Sequence, residues 1–176
     1  MNRVFIGGSR RISKLSTEIR SRLDKLLAKD LDVVIGDANG ADKAVQTYLA
    51  GKGYQKVVLY CSGEDCRNNV GNWPVRHIQT SSTVKDFSHY SEKDKEMSKE
   101  ANYGFFLWDG LSKGTLENIR RMLDQGKTSL VYLSNSRSFV TVSNREVFES
   151  LRSARNETTQ ARSGTLRRSG FKHALR

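Results

Sequence analysis

The 176-residue sequence predicts an α/β fold in which helices cover both faces of a mostly parallel sheet of about five strands. Short apolar runs alternate along the chain with helix-length segments whose apolar residues recur every three or four positions. The first run has no polar position, as is common for a strand buried on both faces. This alternation is typical of βαβ crossovers, and it therefore indicates a three-layer α/β sandwich.

The positions of the elements follow from the same pattern. Strands are expected at residues 4–6, 31–35, 57–60, 104–108 and 129–133, and residues 139–142 could add an edge strand. Helices are expected from Ser13 or Ser16 to about Lys29, from Ala41 to Gly51, from Ser91 to about Ala101, from about Leu116 to Gly126, and after Ser143. The spacing of Ser91 and Asp94 resembles a capping box, which would begin the third helix at Ser91.

Residues 61–90 are expected to form a long irregular connection that contains the only proline, Pro74. Such connections are uncommon inside a compact domain and are often functional. Arg67, Arg76 and His77 could approach an anionic ligand there, or they could lie on a surface loop.

Positive charge is concentrated near the C-terminus. The formal net charge is +11, and residues 151–176 contain seven cations and one anion. This segment is also rich in Arg, Ser, Thr and Gly and poor in large apolar residues, a composition that disfavours a packed core. The sequence therefore predicts a ligand-binding domain at residues 1–150 and a basic, flexible tail at 151–176. The tail could bind nucleic acid through counterion release, or it could be a solvated terminus.

Cys61 and Cys66 are the only cysteines. Cys61 is expected at a strand end and Cys66 in a loop, and so few cysteines fit a reducing compartment. A second Cys or His pair is missing, so no zinc or other metal site is predicted. An apolar run near the ~20 residues of a membrane span is also missing. We therefore expect a cytoplasmic protein that does not enter a membrane.

Three predicted strands end in glycine-rich polar turns that each open a helix: residues 7–10, 36–42 and 109–115. In a parallel sheet these turns lie at the carboxyl edge, where α/β proteins bind ligands. Backbone N–H groups there could hold phosphate, and carboxylates could accept hydrogen bonds from ribose. The predicted ligand-binding residues are Gly7, Gly8, Ser9, Arg10, Gly36, Asp37, Asn39, Gly40, Asp42, Trp108, Asp109, Gly110, Ser112, Gly114, Thr115 and Asn118. Asp37, Asn39 and Thr115 could instead be ordinary helix caps.

Neither standard nucleotide fingerprint is present. Gly7-Gly8 does not extend to G-x-G-x-x-G, and Lys113 precedes its glycine, so the G-x-x-x-x-G-K-[ST] pattern is not formed. Ordinary dehydrogenase and P-loop NTPase functions are therefore disfavoured.

The three turns resemble those of the SLOG superfamily, in particular its YspA/YpsA-like branch. The resemblance rests on Ile6–Arg10, Gly36–Asp42 and Trp108–Thr115, and it extends over residues 3–133. It implies a Rossmann-like fold that binds nucleotides or nucleotide-derived ligands. Some members of the superfamily cleave N-glycosidic bonds, others are sensors in phage defence or stress responses, and DprA-type members bind single-stranded DNA.

The chain is also similar, with departures, to the cytokinin-activating phosphoribohydrolases of that superfamily. Their pattern R-K-x-x-M, a strand, and P-G-G-x-G-T-x-x-E places Lys93 at the catalytic arginine and Asn118 at the catalytic glutamate. Glu117 lies one residue earlier, about 100° around a helix, so it does not replace that glutamate directly. Asn cannot act as a carboxylate base.

Three functions remain open from the sequence. The first is a sensor or binding module for a ligand such as NAD, ADP-ribose or a nucleoside monophosphate, with no cofactor required. The second is an N-glycosidic hydrolase or transferase, with Glu117, Asp94 or Asp109 as the catalytic carboxylate and Lys93 or Arg10 on the phosphate. The third is nucleic-acid binding through residues 152–176 and through Trp73 or Trp108, although Trp108 ends an apolar strand and core packing explains it as well as base stacking does. A homodimer is compatible with all three.

Overall fold

The computed structural model describes residues 2–79 and 87–170, except for the side chains of residues 87–89 and 162–170. The described strands are β1 (Arg3–Gly8), β2 (Asp32–Gly36), β3 (Val57–Ser62), β4 (Val75–Ile78), β5 (Tyr103–Trp108), β6 (Ser129–Leu133) and β7 (Ser138–Val142). The described helices are α1 (Thr17–Ala28), α2 (Ala41–Gly51), α3 (Phe87–Glu100), α4 (Lys113–Asp124) and α5 (Arg145–Gly170).

The strands form one mixed sheet in the order β4-β3-β2-β1-β5-β6-β7. All neighbouring pairs are parallel except β6 and β7, which are antiparallel. The chain moves outward from β1 to β4 and then returns past β1 to β5. The strand order therefore reverses between β1 and β5, and a crevice is expected outside the carboxyl ends of these two strands.

Helices pack on both faces of the sheet, as predicted. On one face, Ile19 and Leu23 of α1 and Val45 and Leu49 of α2 join a core cluster that includes Val4. On the other face, α3, α4 and α5 each contribute an apolar side chain to a second core cluster that includes Phe5. These side chains are Met97, Ile119 and Phe148, respectively. Val4 and Phe5 face opposite clusters because successive strand residues point to opposite sides of a sheet. The three-layer α/β sandwich is thus confirmed.

The sheet has two strands more than the five that the sequence most clearly predicts. β7 occupies the position of the possible edge strand. β4 lies within the segment expected to be irregular, and three of its four residues are exposed. An exposed four-residue edge strand has no alternation of apolar and polar residues by which the sequence could reveal it. It forms because its backbone pairs with that of β3.

Three helix starts differ from the prediction, and one of them is α4, which begins at Lys113 rather than near Leu116. α3 begins at Phe87, so Ser91 and Asp94 lie inside it and do not form a capping box. Both residues line the cavity described below, because positions three apart lie on the same face of a helix. At α5 the side chain of Asn144, not Ser143, accepts the hydrogen bond from the Val147 amide, at 3.0 Å. At α1, Ser16 is the cap rather than Ser13.

Cys61 and Cys66 are joined by a disulfide bond. The sequence pattern does not predict this bond, whereas the expected placement of Cys61 at a strand end and of Cys66 in a loop is confirmed. The sequence could not reveal the pairing because it depends on how the loop after β3 folds back. Helix α5 continues past residue 151, where the basic tail was predicted to begin. The tail predicted to be flexible spans residues 151–176, and residues 171–176 lie outside the described structure.

Candidate functional site

A cavity of about 490 Å³ opens at the crevice between β1 and β5. Its wall is formed by the turn after β1, the turn after β5, the first turn of α4 and one face of α3. The volume lies in the range of small-molecule sites. Five cationic and three acidic side chains line it: Arg10, Arg11, Arg67, Lys93, Lys113, Asp42, Asp94 and Asp109.

The glycine turn after β1 is built by close packing and by internal hydrogen bonds. A Cβ atom on Gly8 would lie 2.8 Å from Ala41 Cβ and would clash with the Leu107 carbonyl oxygen. The Ser9 amide donates to that same carbonyl at 2.9 Å, and the Arg11 amide donates to Ser9 Oγ at 3.2 Å. Gly8 thus lets α2 and β5 approach β1, and the turn presents Arg10 and Arg11 to the cavity.

The turn after β5 is held by Asp109 and Ser112. Asp109 Oδ1 accepts hydrogen bonds from the amides of Leu111 and Ser112, at 3.1 and 2.7 Å. Ser112 Oγ caps α4 by accepting from the Thr115 amide at 3.3 Å. Lys113 and Gly114 begin the helix at the cavity wall. The positive end of the α4 dipole therefore faces the cavity.

A cluster of four charged residues forms the floor, and three of them, Asp37, Asp42 and Lys93, are buried. Lys93 Nζ lies 3.3 Å from Asp37 Oδ1 and 3.6 Å from Asp94 Oδ1, and the Lys93 side chain is only 4% exposed. Asp42, also buried, lies beside it across Gly36. A Cβ atom on Gly36 would clash with Lys93 Nζ and lie 2.7 Å from Asp42 Oδ2. Gly36 is therefore the residue that lets an ammonium and a carboxylate share this space.

The cluster shifts the pKa values of its members in opposite directions. Burial disfavours the charged form of Lys93, but Asp94, Asp42 and Asp37 together raise its pKa above the usual value. Burial of Asp42 raises its pKa to about 6, although Lys93 acts against this shift. Burial also works to raise the pKa of Asp37, but Arg67 and Lys93 prevail and lower it to about 2. The floor thus combines a fixed ammonium with a carboxyl that titrates near neutrality.

Arg67 connects the loop after β3 to this floor. Its amide and Nε donate to Asp37 Oδ2 at 3.0 and 3.1 Å, and its Nη2 donates to Oδ1 at 2.7 Å. Its guanidinium also lies 4.3 Å from the centre of the Tyr90 ring, within cation–π range. The guanidinium of Arg10 lies 5.6 Å from the same ring. Tyr90 and the two arginines therefore form one wall.

The structure brings most of the predicted site residues together. Those that line the cavity are Gly7, Gly8, Ser9, Arg10, Asp42, Lys93, Asp94, Asp109, Ser112, Gly114, Thr115 and Asn118. Gly36 and Asp37 are absent from the lining and support the floor from beneath.

The remaining predicted residues do not line the cavity. Asn39 accepts a hydrogen bond from Asn68 at 3.0 Å. Gly40 and Gly110 adopt the positive φ values that their turns require. Glu117 is held by Arg120, with Glu117 Oε1 2.5 Å from Arg120 Nη2, and this hydrogen bond is the main cause of its lowered pKa.

The two tryptophans are buried core residues. Trp108 Nε1 donates to the Ser112 carbonyl at 3.0 Å, and Trp73 Nε1 donates to the Tyr54 carbonyl at 2.8 Å. Both rings are about 3% exposed or less. They cannot stack on nucleic-acid bases in this structure, so that part of the sequence interpretation is corrected. The physical reason is that each ring completes a core cluster while its N–H is satisfied internally.

Several cavity residues were not predicted from the sequence: Arg11, Tyr90, Ser91, Met97, Leu111 and Lys113 among them. Tyr90 and Ser91 belong to α3, and no turn motif marks them. The sequence marks Arg67 only as a cation that could approach an anionic ligand. Its position on the wall depends on the fold of the loop after β3.

The fold belongs to the class of Rossmann-like α/β sandwiches. No protein-family model and no curated protein sequence matches the chain. Its structure is similar to that of DNA processing protein A (DprA) from Streptococcus pneumoniae, with a TM-score of 0.57 and 17% sequence identity. The similarity covers 74% of this chain and 50% of that one, so this chain corresponds to about half the length of DprA.

Within the described residues, no group of three or more His, Cys, Asp or Glu side chains is arranged to hold a metal ion. In the same part of the chain, no helix is long and apolar enough to span a membrane.

Proposed function

We propose that this protein binds a nucleotide or nucleotide-derived ligand in the cavity between β1 and β5, as a sensor or binding module. The observation that carries the proposal is the division of the cavity into a cationic rim and a floor that contains carboxylates. The chain would then be a member of the SLOG superfamily, as its three turn motifs suggest. Its similarity in fold to a protein named for DNA processing is compatible with a nucleotide-related role.

The rim suits a phosphate group. Arg10 and Lys113 lie on neighbouring turns, and the first turn of α4 supplies backbone N–H groups and a positive dipole. Arg11 is partly neutralised, since its Nη1 lies 3.8 Å from Asp109 Oδ2. Phosphate would bind where Arg10, Lys113 and Gly114 line the same rim, beside the positive end of α4.

The floor suits ribose hydroxyl groups. Asp42 and Asp94 carry acceptor oxygens, and Asn118 Nδ2 already donates to Asp94 Oδ2 at 3.0 Å. A carboxylate accepts hydrogen bonds from a vicinal diol without needing a proton of its own. The ligand would enter with its phosphate at the rim and its sugar toward Asp42 and Asp94.

Calorimetric titration with AMP and adenosine tests the proposal. AMP is expected to bind at least about tenfold more tightly than adenosine, because a charge-assisted hydrogen bond to phosphate contributes roughly 1.5–3 kcal/mol. Lys113→Met and Arg10→Met are expected to remove that preference. Arg22→Met is the control, since Arg22 lies on α1 against Phe139 and outside this cavity. Equal affinity for AMP and adenosine, or no binding of AMP, ADP-ribose and NAD, would contradict the proposal.

A second candidate function is hydrolysis of the N-glycosidic bond of such a ligand. The observation in its favour is that Asp42 is a buried cavity carboxyl whose pKa is raised to about 6, so it can exchange a proton near neutral pH. In the reaction, water adds to C1′, the C–N bond breaks, and the base leaves with a proton.

Chromatography of the free base tests this second candidate. Asp42→Asn and Asp94→Asn are expected to abolish base release, whereas Glu117→Gln is expected to retain it, because Glu117 lies outside the cavity. Intact ligand recovered after prolonged incubation with the unmodified protein would exclude hydrolysis and leave the binding function in place.

A further inference from the structure

The Cys61–Cys66 disulfide lies immediately before the cavity residue Arg67, and nothing in the proposed function uses it. Cys61 is a fully buried residue at the end of β3. Cys66 packs against the same core cluster from the loop. The bond closes the segment 62–65 and fixes the starting point of the chain that supplies Arg67.

Beyond Cys66, the chain is attached to the site by a short series of hydrogen bonds. Three bonds join Arg67 to Asp37. Asn68 Nδ2 donates to the Asp37 carbonyl at 2.8 Å, and the Val70 amide donates to Gln46 Oε1 at 3.0 Å. Gln46 in turn donates to the Gly36 carbonyl at 2.8 Å. We define residues 66–70 as the Arg67 segment.

We propose that the Cys61–Cys66 disulfide is a redox switch that controls ligand affinity by positioning the Arg67 segment. This inference rests on the proposed function, because it assigns a regulation to the same cavity. In the oxidised protein, the disulfide and Asp37 together hold Arg67 at the wall. In the reduced protein, only the noncovalent contacts remain.

Of the two sulfur atoms, only that of Cys66 can move when the bond is reduced. Two thiols cannot stay at bonding distance, so reduction must separate the sulfur atoms. Cys61 is part of a buried strand that pairs with both β2 and β4 and cannot shift without breaking the sheet. Cys66 lies in a loop, so the displacement is taken up there and passes to the adjacent Arg67.

The chemical step is an ordinary thiol–disulfide exchange. A thiolate of a dithiol reductant attacks one sulfur atom of the disulfide and forms a mixed disulfide with the protein. The second thiol of the reductant then attacks this mixed disulfide and frees the protein cysteine. The Cys61–Cys66 bond breaks, both cysteines gain a proton, and the reductant becomes the disulfide. Two electrons pass from the reductant to the protein, so the reaction is balanced.

Reduction is expected to weaken the binding of AMP about tenfold. A tenfold change in Kd corresponds to 1.4 kcal/mol, roughly the contribution of one hydrogen bond made by a charged group. Arg67 would also become less able to hold Asp37, which has Lys93 as its other charged partner. The switch would therefore act on the cationic wall and, through Asp37, on the floor.

Hydrogen–deuterium exchange of the oxidised and dithiothreitol-reduced full chain tests the switch without a ligand. Exchange at the amides of Arg67 and Val70 is expected to become faster on reduction, while amides of the β1–β2 ladder stay unchanged. Cys66→Ser, which replaces a partly exposed loop residue, should behave like the reduced protein with or without dithiothreitol. Unchanged exchange at Arg67 and Val70 would overturn the proposal, as would two free thiols in protein exposed to glutathione disulfide.

Titration with AMP in both redox states completes the test. The affinity of the unmodified protein should fall on reduction, and the affinity of Arg67→Met should not respond to reduction because the connecting residue is missing. A response that survives in Arg67→Met would overturn the assigned route. If AMP binds in neither state, the proposed function fails, while the exchange experiment still decides whether reduction loosens the Arg67 segment.

Discussion

At the scale of single residues, the cavity floor depends on a glycine that has no functional group. Gly36 ends β2, and its missing side chain is what allows Lys93 Nζ and Asp42 Oδ2 to meet above it. Three carboxylates surround the single buried ammonium, so the cluster retains a negative excess that protonation of Asp42 relieves. The absence of a side chain at Gly36 therefore allows the close packing of Lys93 and Asp42 that sets the protonation of Asp42.

Gly36→Ala is expected to destabilise the protein by about 1–3 kcal/mol, the usual range for overpacking a core site. The added methyl group would displace either Lys93 or Asp42, and both are buried. Urea unfolding followed by circular dichroism measures the change. The matched control is Gly51→Ala, because a Cβ on Gly51 contacts nothing within 4 Å and the residue ends α2. A loss of stability in the control equal to that of Gly36→Ala would refute the packing argument.

Asp42 is expected to make the protein less stable as the pH rises from about 4 to about 6. Its folded pKa of about 6 exceeds the ordinary value of 3.8, so the folded state binds more protons in this window and deprotonation destabilises it. The effect approaches about 3 kcal/mol, since each pKa unit corresponds to 1.36 kcal/mol. Asp37 acts in the opposite sense and only at lower pH, where its stabilising charge is lost between about 4 and 2.

Free energies of unfolding measured from pH 4 to 8 test this prediction. Asp42→Asn should abolish the decline between pH 4 and 6, because Asn does not titrate. Glu117→Gln serves as the comparison, since the pKa of Glu117 is lowered rather than raised. A decline that persists unchanged in Asp42→Asn would show that another group is responsible.

At the scale of elements, two helices of equal length differ in their relation to the cavity. α1 and α4 each contain twelve residues and each begins with a serine cap, Ser16 and Ser112 respectively. Only the α4 cap lies at the cavity wall. Comparing variants of Ser16 and Ser112 therefore separates the effect of a helix cap on protein stability from its effect on ligand affinity.

Ser16→Ala and Ser112→Ala are each expected to cost about 0.5–2 kcal/mol of stability, as lost caps usually do. Only Ser112→Ala should also weaken AMP binding, because it loosens the first turn of α4, where phosphate is proposed to bind. Thermal unfolding and calorimetric titration provide the two measurements. Equal losses of AMP affinity in both variants would indicate an indirect effect of stability.

At the scale of the whole molecule, helix α5 connects the C-terminal region to the cavity. Phe148 and Leu151 anchor its first turns in the core, and Arg155 Nε donates to the Leu111 carbonyl at 2.9 Å. Residues 156–176 follow this contact and contain five cations and one anion. They are the part of the chain to which a nucleic-acid role can still be assigned, since Trp73 and Trp108 are buried.

A chain that ends at Arg155 should fold with nearly unchanged stability, because the core contacts of α5 are retained. It should also lose most of any affinity for a single-stranded oligonucleotide. If the five cations contact phosphates, the slope of log K against log salt should become shallower by about 3.5, at about 0.7 for each contact. Filter binding at several salt concentrations measures this slope. An unchanged slope would exclude the C-terminal residues as the binding surface.

Local sequence patterns are enough to predict the three-layer α/β class, the main strands and the turns that carry most of the cavity residues. These features depend on local periodicity and on glycine at strand ends, which a single chain displays directly. The folded arrangement was needed to show that Glu117 and both tryptophans lie outside the cavity and that Tyr90, Arg67 and Lys93 line it together. It also decided that Cys61 pairs with Cys66. These outcomes depend on contacts between residues distant in sequence and on the direction of each side chain, and no local pattern specifies either.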